Sequence, residues 1–398
     1  AKVSLLAFGF PAAENIAERL EEIGDQVNKL DTSSKLVGWG TLIEQINITL
    51  SSQGDAPYDL IMTYSGNIAE YASKGWLYDM NDLKEKYWDE YNLGDIPESL
   101  WESVKYEGAT IAFPYSTNLQ FLFYRKDLFD KYDVKVPTTY DEWIEACEKL
   151  EGASEIQAPL GLTMNKPSGI ATEFRNALYA HGGKWFDEDG YPAFNSPEGL
   201  KALETLGELS QYFAPGGLSF SNDDVMVGLQ QSQIAMGNIW FTRAKAMDDP
   251  DVSAVVGKIE YAPAPVAKET GIPHSQLTFD SYSIPANTGD DPDVVFHVLM
   301  DIFSEEGIED FATSIMSVRS SVLNDPELGE QMRWLDAAAK TVDSGVTSNP
   351  NVPYMSLTNS LVGEILADSL AGNMSYQDAL DKAEKELTAT LKEQGFIE

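Results

Sequence analysis

Residues 58–77 read YDLIMTYSGNIAEYASKGWL. Asp59 to Thr63 has the short apolar character of a buried strand, and Tyr64-Ser65-Gly66-Asn67 ends it where the next helix starts. Tyr71 to Leu83 reads as turn and helix around Gly75. A strand that passes through a polar turn into a helix is the unit of an α/β fold, and such turns are where ligands gather in open α/β sheets. Outward from this stretch the pattern repeats. Val3 to Phe8 is an apolar run, and Pro11 is placed as a first helical residue. Ile16, Leu20, Ile23, Val27 and Leu30 then recur at spacings of four and three, one face of an amphipathic helix. Ser34 to Val37 reads as another buried strand. Thr110–Phe113 and Gln120–Tyr124 read as strands flanking the polar segment Pro114 to Asn118. Thr139-Tyr140-Asp141-Glu142 is a capping box for a helix whose apolar face carries Trp143, Cys147 and Leu150. Ser196-Pro197-Glu198 and Asp290-Asp291-Pro292-Asp293 open two more helices. From Glu305 onward helix follows helix, ending with Tyr376 to Lys392. This order predicts α/β architecture with mostly parallel sheets.

The chain has 398 residues, a length that predicts two or three domains. Hydrophobic residues make up 43% and aromatics 11%, enough for sizeable cores. With 64 Asp and Glu against 27 Lys and Arg, the net charge is −37, which argues against nucleic acid and anionic membranes as partners. The acidic excess reads as a solubilised surface suited to salty surroundings. No apolar run reaches the roughly 18–20 residues of a membrane helix. Ala1-Lys2-Val3 enters a strand at once, without a signal peptide, as expected of a mature exported product. One cysteine means no internal disulfide.

Catalytic signatures are thin. G-x-S-x-G, G-x-x-x-x-G-K-[ST] and G-x-G-x-x-G are all absent. His181, His274 and His297 match no ligand spacing, and Asp187-Glu188-Asp189-Gly190 lacks the further ligands of a calcium loop, so neither a metal nor a cofactor is expected. Cys147 reads as a buried small hydrophobe. Aromatic and polar residues do stand out at strand ends: Trp39 between Gly38 and Gly40, Tyr64 to Asn67, and Trp240 after Gly237-Asn238-Ile239. Such a set suits a sugar, whose C–H faces pack on aromatic rings while amides and hydroxyls satisfy its hydroxyls.

Taken in order, several segments resemble the extracellular solute-binding proteins of ABC importers, in the carbohydrate-binding group that includes maltose-binding protein. They are Tyr58–Met62 with Ile68–Leu77, Ala112–Tyr115 leading to Leu122–Phe129, Val136–Glu142, Phe194–Glu198, Ala235-Met236, Pro263-Ala264-Pro265 and Pro350–Met355. Arg125 stands where that group usually has Asn. The resemblance implies a two-lobed periplasmic-binding-protein fold with a hinge and an interlobe ligand cleft. It implies an N-terminal lobe of 1–115 plus 263–317 and a C-terminal lobe of 116–262 plus 318–398. The crossovers would be the proline-marked stretches Phe113–Asn118 and Tyr261–Pro265.

By the same resemblance, the ligand-binding residues of the first lobe are Tyr64, Ser65 and Asn67, with Phe10 and Trp39 beside them. Ser116 and Asn118 follow at the crossover. Arg175, Arg243 and the stacking residue Trp240 come from the second lobe. Asp280, Tyr282, Arg319 and Tyr354 complete the set. The "HDR" of maltose-binding protein is absent, and Asn359 replaces a second aromatic stacker, which favours a ligand smaller than a long maltodextrin. The implied function is capture of a disaccharide, α-glucoside, monosaccharide or polyol for delivery to the permease subunits of an ABC importer. The implied form is a monomer in the periplasm or at the outer face of the membrane. Two alternatives remain. The same fold could bind another solute, such as a compatible solute, ferric iron or an amino acid, whose carboxylate would want an arginine such as Arg175 or Arg243. Less favoured is a secreted carbohydrate-active enzyme.

Overall fold

The computed structural model describes residues 1–309 and 311–398. Its principal strands, in chain order, are β1 (Lys2–Phe8), β2 (Asp31–Val37), β3 (Leu60–Tyr64), β4 (Phe113–Asn118), β5 (Gln120–Arg125), β6 (Ala158–Gly161), β7 (Ile234–Trp240), β8 (Ile259–Ala262), β9 (Gln276–Ser283), β10 (Met316–Ser317) and β11 (Thr347–Ser348). The helices that matter below are α1 (Pro11–Gln26), α2 (Trp39–Ser51), α3 (Ile68–Ser73), α4 (Tyr140–Leu150), α5 (Ser168–Ala180), α6 (Pro197–Ser210) and α7 (Met355–Leu370).

The chain divides into two discontinuous units, one of Ala1–Asn118, Thr278–Met332 and Asn349–Met355, the other of Leu119–Leu277, Arg333–Ser348 and Ser356–Glu398. The first passage between them, at Asn118–Leu119, closes the segment expected to do so. The return differs. Tyr261 and Ala262 are β-paired with Phe123 and Leu122 inside the second unit, so the chain goes back at Leu277–Thr278 rather than near Pro263. The later passage falls at Met332–Arg333 instead of 317–318, and a short excursion, Asn349–Met355, rejoins the first unit.

The first unit is built on a sheet in the order β10-β4-β9-β3-β1-β2. β1 is parallel to β2 and β3, whereas β9 runs antiparallel to both β3 and β4. The sheet is therefore mixed, because the returning strand inserts between β3 and β4. β4, running against β9, points the same way as β1, β2 and β3. The polar segment at 114–118 is itself a strand here. β2 lies at the edge with Ser33, Ser34 and Lys35 exposed, not buried as its apolar end suggested. α1 buries Ala12, Ala13, Ile16, Leu20 and Ile23 and stops at Gln26, which leaves Val27 outside the helix.

The second unit holds the sheet β8-β5-β7-β6, with β5 antiparallel to both β8 and β7 and β6 parallel to β7. Thr139 caps α4 by accepting from the Glu142 amide, while the Glu142 carboxylate reaches back one residue further, to the Thr138 N–H at 2.8 Å. The helix buries Trp143, Cys147 and Leu150 as its spacing predicts. α5 is different in kind. From Gly169 to Ala180 all its residues but Thr172 are buried, among them Glu173, Arg175 and Asn176.

Candidate functional site

In the first unit, β1, β2, β3 and β4 all deliver their carboxyl ends to the same edge of the sheet, where open α/β sheets bind ligands. Four aromatic rings follow one another there. Phe10, directly after β1, stacks on Phe8 at 5.7 Å; Phe8 meets Trp39 edge-on at 5.6 Å; Trp39 lies 5.1 Å from Tyr64. Phe10 is 9% exposed but Trp39, at the start of α2, keeps 39% of its surface. An apolar face thus stays open to solvent above a packed base.

Polar groups line the same edge. Tyr64-Ser65-Gly66-Asn67 is a tight turn in which Asn67 Oδ1 accepts from the Tyr64 N–H at 3.0 Å, and Ser65 N–H donates to Phe279 O at 3.1 Å. Gly66 is needed because a Cβ would come within 2.4 Å of the Tyr64 ring. In the register of β9, Asp280 faces Tyr64 on one side and Ser116 on the other, and Thr278 faces Asn118. Asn118 Nδ2 donates to Asp280 Oδ2 at 3.3 Å. Ser65, Asn67 and Asp280 are all buried, at 5%, 2% and 7% exposure. Among the described residues, Ser65 Oγ, Asn67 Nδ2 and Asn118 Oδ1 are nevertheless without a hydrogen-bond partner. Three orphaned polar atoms at one strand edge are costly unless something else satisfies them.

Other expected ligand residues are occupied differently. Ser116 Oγ accepts from Met316 N–H and donates to Thr117 O, which ties β4 to β10. Tyr282 is fully buried among Tyr115 and Phe303, at 5.1 and 5.8 Å, and belongs to the core. Arg319, 1% exposed, donates to the carbonyls of Phe303, Asn92 and Tyr91 at 2.9–3.2 Å, so it staples the chain around 91–92 to the sheet. The Tyr282 ring is taken up by packing and the Arg319 guanidinium by backbone carbonyls. Tyr354 is buried in the excursion 349–355.

In the second unit, Trp240 ends β7 opposite Gln120 and is half-buried. Arg243, in the turn that follows, pairs with Asp223 at 2.8 Å and with Thr242 Oγ1. Arg175 donates from Nε to Gln276 Oε1 at 2.7 Å and from Nη1 to Asn359 Oδ1 at 2.8 Å, with its guanidinium 5.2 Å above the Trp185 ring. Both guanidinium groups are already hydrogen-bonded, which weakens the reading that either waits for a ligand carboxylate. Asn359, read only as a missing aromatic, is one of those partners.

The histidines are each engaged. His181 bonds Glu269 and Thr205, His274 bonds Tyr140 and Glu173, and His297 faces Tyr91. Asp187 Oδ1 accepts from Asp189 and Tyr191 N–H, closing its own turn. No group of three or more metal-ligating side chains occurs among the described residues. Burial pushes the Cys147 thiol well above its usual range, as suits a packing residue. Among those residues, no helix is long and apolar enough to cross a membrane.

Residues 14–297 match the family of bacterial extracellular solute-binding proteins. The chain belongs to that family. This solute-binding protein is 23% identical to a mannitol-binding protein of Pseudomonas aeruginosa, over 89% of the chain and 85% of the relative. It superposes on a ribitol complex of an ABC-transporter solute-binding protein from Agrobacterium radiobacter with a TM-score of 0.86 and 26% identity, covering 97% and 98% of the two chains. Against a maltose-bound protein of T. maritima the TM-score is 0.87 at 21% identity, with 98% and 100% covered. The fold is thus the two-lobed one of periplasmic binding proteins. The family and these neighbours are binding proteins, not enzymes.

Sequence reading missed the buried polar group around α5, comprising Gln120, Glu173, Asn176, His274 and Gln276. A signal was present. IATEFRNALYA has apolar residues on every side of the helix and yet carries Glu173, Arg175 and Asn176 within four residues.

Proposed function

We propose that this protein is the substrate-binding component of an ABC importer, and that it takes a small, neutral, polyhydroxylated ligand, with an acyclic polyol or monosaccharide first among the candidates. The observation that carries the reading is the strand edge where Ser65 Oγ, Asn67 Nδ2 and Asn118 Oδ1 lack partners beside the Asp280 carboxylate and the partly open face of Trp39. A polyol supplies both hydroxyl donors and acceptors, so it can satisfy an amide N–H, an amide oxygen and a carboxylate at once. Its C–H surface suits the Trp39 and Tyr64 rings. Mannitol and ribitol are bound by the similar proteins just described, which supports the choice of class. Disaccharides and α-glucosides stay in the test set because a maltose-bound protein shares the fold. The working form is a monomer in the periplasm or at the outer face of the membrane, delivering its ligand to permease subunits without transforming it.

A thermal-shift screen over D-mannitol, ribitol, D-sorbitol, glucose, maltose and a panel of amino acids tests this directly. A polyol or monosaccharide at 100 times its Kd stabilises the fold by about 2.7 kcal/mol, a clear rise in Tm. A response to an amino acid alone, with none to the hydroxylated panel, overturns the substrate class.

A further inference from the structure

The second unit is entered at Leu119, left at Leu277, re-entered at Arg333, left at Ser348 and re-entered at Ser356, and residues close to the first, second and last of these five points are held by one helix, α5. Gln120, one residue past the first passage, donates from Nε2 to Glu173 Oε1 at 2.9 Å and accepts from Asn176 Nδ2 at 2.7 Å. Gln276, one residue before the second, accepts from Arg175 Nε at 2.7 Å. Asn359, three residues past the last, accepts from Arg175 Nη1 at 2.8 Å. The two passing strands are also tied to each other. Ser275 Oγ accepts from the Gln120 N–H at 3.1 Å and donates to the Gln120 carbonyl at 2.7 Å. His274 completes the cluster. Its Nε2 lies 2.7 Å from Glu173 Oε2, its Nδ1 lies 2.7 Å from the Tyr140 hydroxyl, and its carbonyl accepts from Asn238 Nδ2 at 2.9 Å.

Glu173 and His274 are both 0% exposed, and Arg175 is 2% exposed. Burying charge on an interior helix costs free energy that apolar side chains of similar volume would avoid. Packing alone therefore does not account for a Glu and an Arg at these positions. What the charged pair supplies, and Leu or Met would not, is directional hold on two glutamine amides and an asparagine. Those three residues sit where the chain passes from unit to unit. The same strand β9 runs on from Gln276 to Asp280, so the helix grips the start of the strand that carries the ligand-edge carboxylate four residues further along.

We infer that Glu173 is a positioning residue. It touches no ligand, and with Arg175 it fixes the crossover segments at Gln120 and at His274–Gln276, which sets how far those segments bend when ligand binds. The inference rests on the proposed function only for its binding arm.

The test is hydrogen exchange on the full chain, wild type against Glu173→Gln, together with calorimetric titration using D-mannitol, ribitol and maltose. Glu173→Gln keeps the shape and removes the charge. In the ligand-free variant, exchange of the amides at 119–121 and 274–277 is expected to quicken by about tenfold or more, while amides of β5 and β7 at 122–124 and 236–239 keep wild-type rates. Kd for the sugar or polyol that the wild type binds is expected to rise about tenfold, within the usual span of coupling between sites. Uniform quickening across β5 and β7 would make Glu173 an ordinary core residue and overturn the inference. So would unchanged exchange at the crossovers, or an unchanged Kd. Should the wild type bind none of the three probes, the substrate class fails, and the exchange pattern still decides the anchoring role. If Glu173→Gln does not fold, Gln120→Leu severs the same anchor from the other side, and the same criteria apply.

Discussion

Trp240 shows what a single residue can decide. It ends β7 half-buried, opposite Gln120, in a unit whose other tryptophans, Trp143, Trp185 and Trp334, are buried. If it covers one face of the ligand, Trp240→Ala should weaken binding by about 2–4 kcal/mol, or roughly 30- to 700-fold in Kd. The apo-protein should lose much less than the roughly 3–5 kcal/mol of a core Trp→Ala change. Titration of the variant with the ligand found in the screen, beside its apo melting curve, separates the two roles. A severe loss of apo stability with unchanged affinity would assign Trp240 to the core. Individual residues were the least legible part of the sequence. Tyr64, Asn67 and Asn118 follow from their place at strand ends, because topology alone brings carboxyl ends together. Tyr282 and Arg319 looked equally eligible as letters. Their burial among Tyr115 and Phe303, or against three backbone carbonyls, depends on distant segments that no local pattern reveals.

At the scale of elements, helix starts and apolar faces were readable because caps and spacing are local. The sheet order was not. β9 slots antiparallel between β3 and β4 only because the chain returns from the second unit, and strand patterns carry no direction. The junction of α5 with α6 offers a test of how such contacts respond to pH. His181, at the end of α5, places Nδ1 2.8 Å from Glu269 and Nε2 2.9 Å from Thr205 on α6, with its ring 5.3 Å from Tyr140. Burial holds its pKa below the usual 6.5, against the opposing pull of Glu269, with Lys201 and His274 adding to the depression. Glu269, bonded by Lys201 and then by His181, is held at about 2. A base with a depressed pKa in the folded state stays neutral while the unfolded chain takes up a proton, so stability is lost as pH falls below about 6.5. Glu269 contributes stability above about 4.5 that is lost towards 2, with the same sign. Comparing melting curves of wild type and His181→Gln therefore isolates the first step. The advantage of wild type should shrink as pH drops from about 7.5 to about 5.5. An advantage that stayed constant over this range would mean that His181 is not held neutral by the fold.

For the whole molecule the dominant fact is charge. With 64 acidic and 27 basic residues, 64 − 27 = 37 carboxylates would remain unmatched even if every Lys and Arg had its own partner. Most of that excess must face solvent, because buried unpaired carboxylates are too costly. Self-repulsion then opposes the compact state at low ionic strength. The screening length falls from about 10 Å at 0.1 M to about 3 Å at 1 M salt, so added salt should relieve the repulsion. Tm of the apo-protein should accordingly rise with KCl by several degrees between about 0.05 and 1 M, at roughly 2–4 °C per kcal/mol for a domain of 150–250 residues. Binding should behave in the opposite way. A neutral polyol forms no ion pair, so its Kd should change less than about twofold over the same range. The two measurements together separate a charged shell from a charged site. A flat Tm would mean that the carboxylates are spaced or paired too well to repel. A steep, salt-dependent loss of affinity would mean that the ligand is an ion, and the substrate class would fall with it.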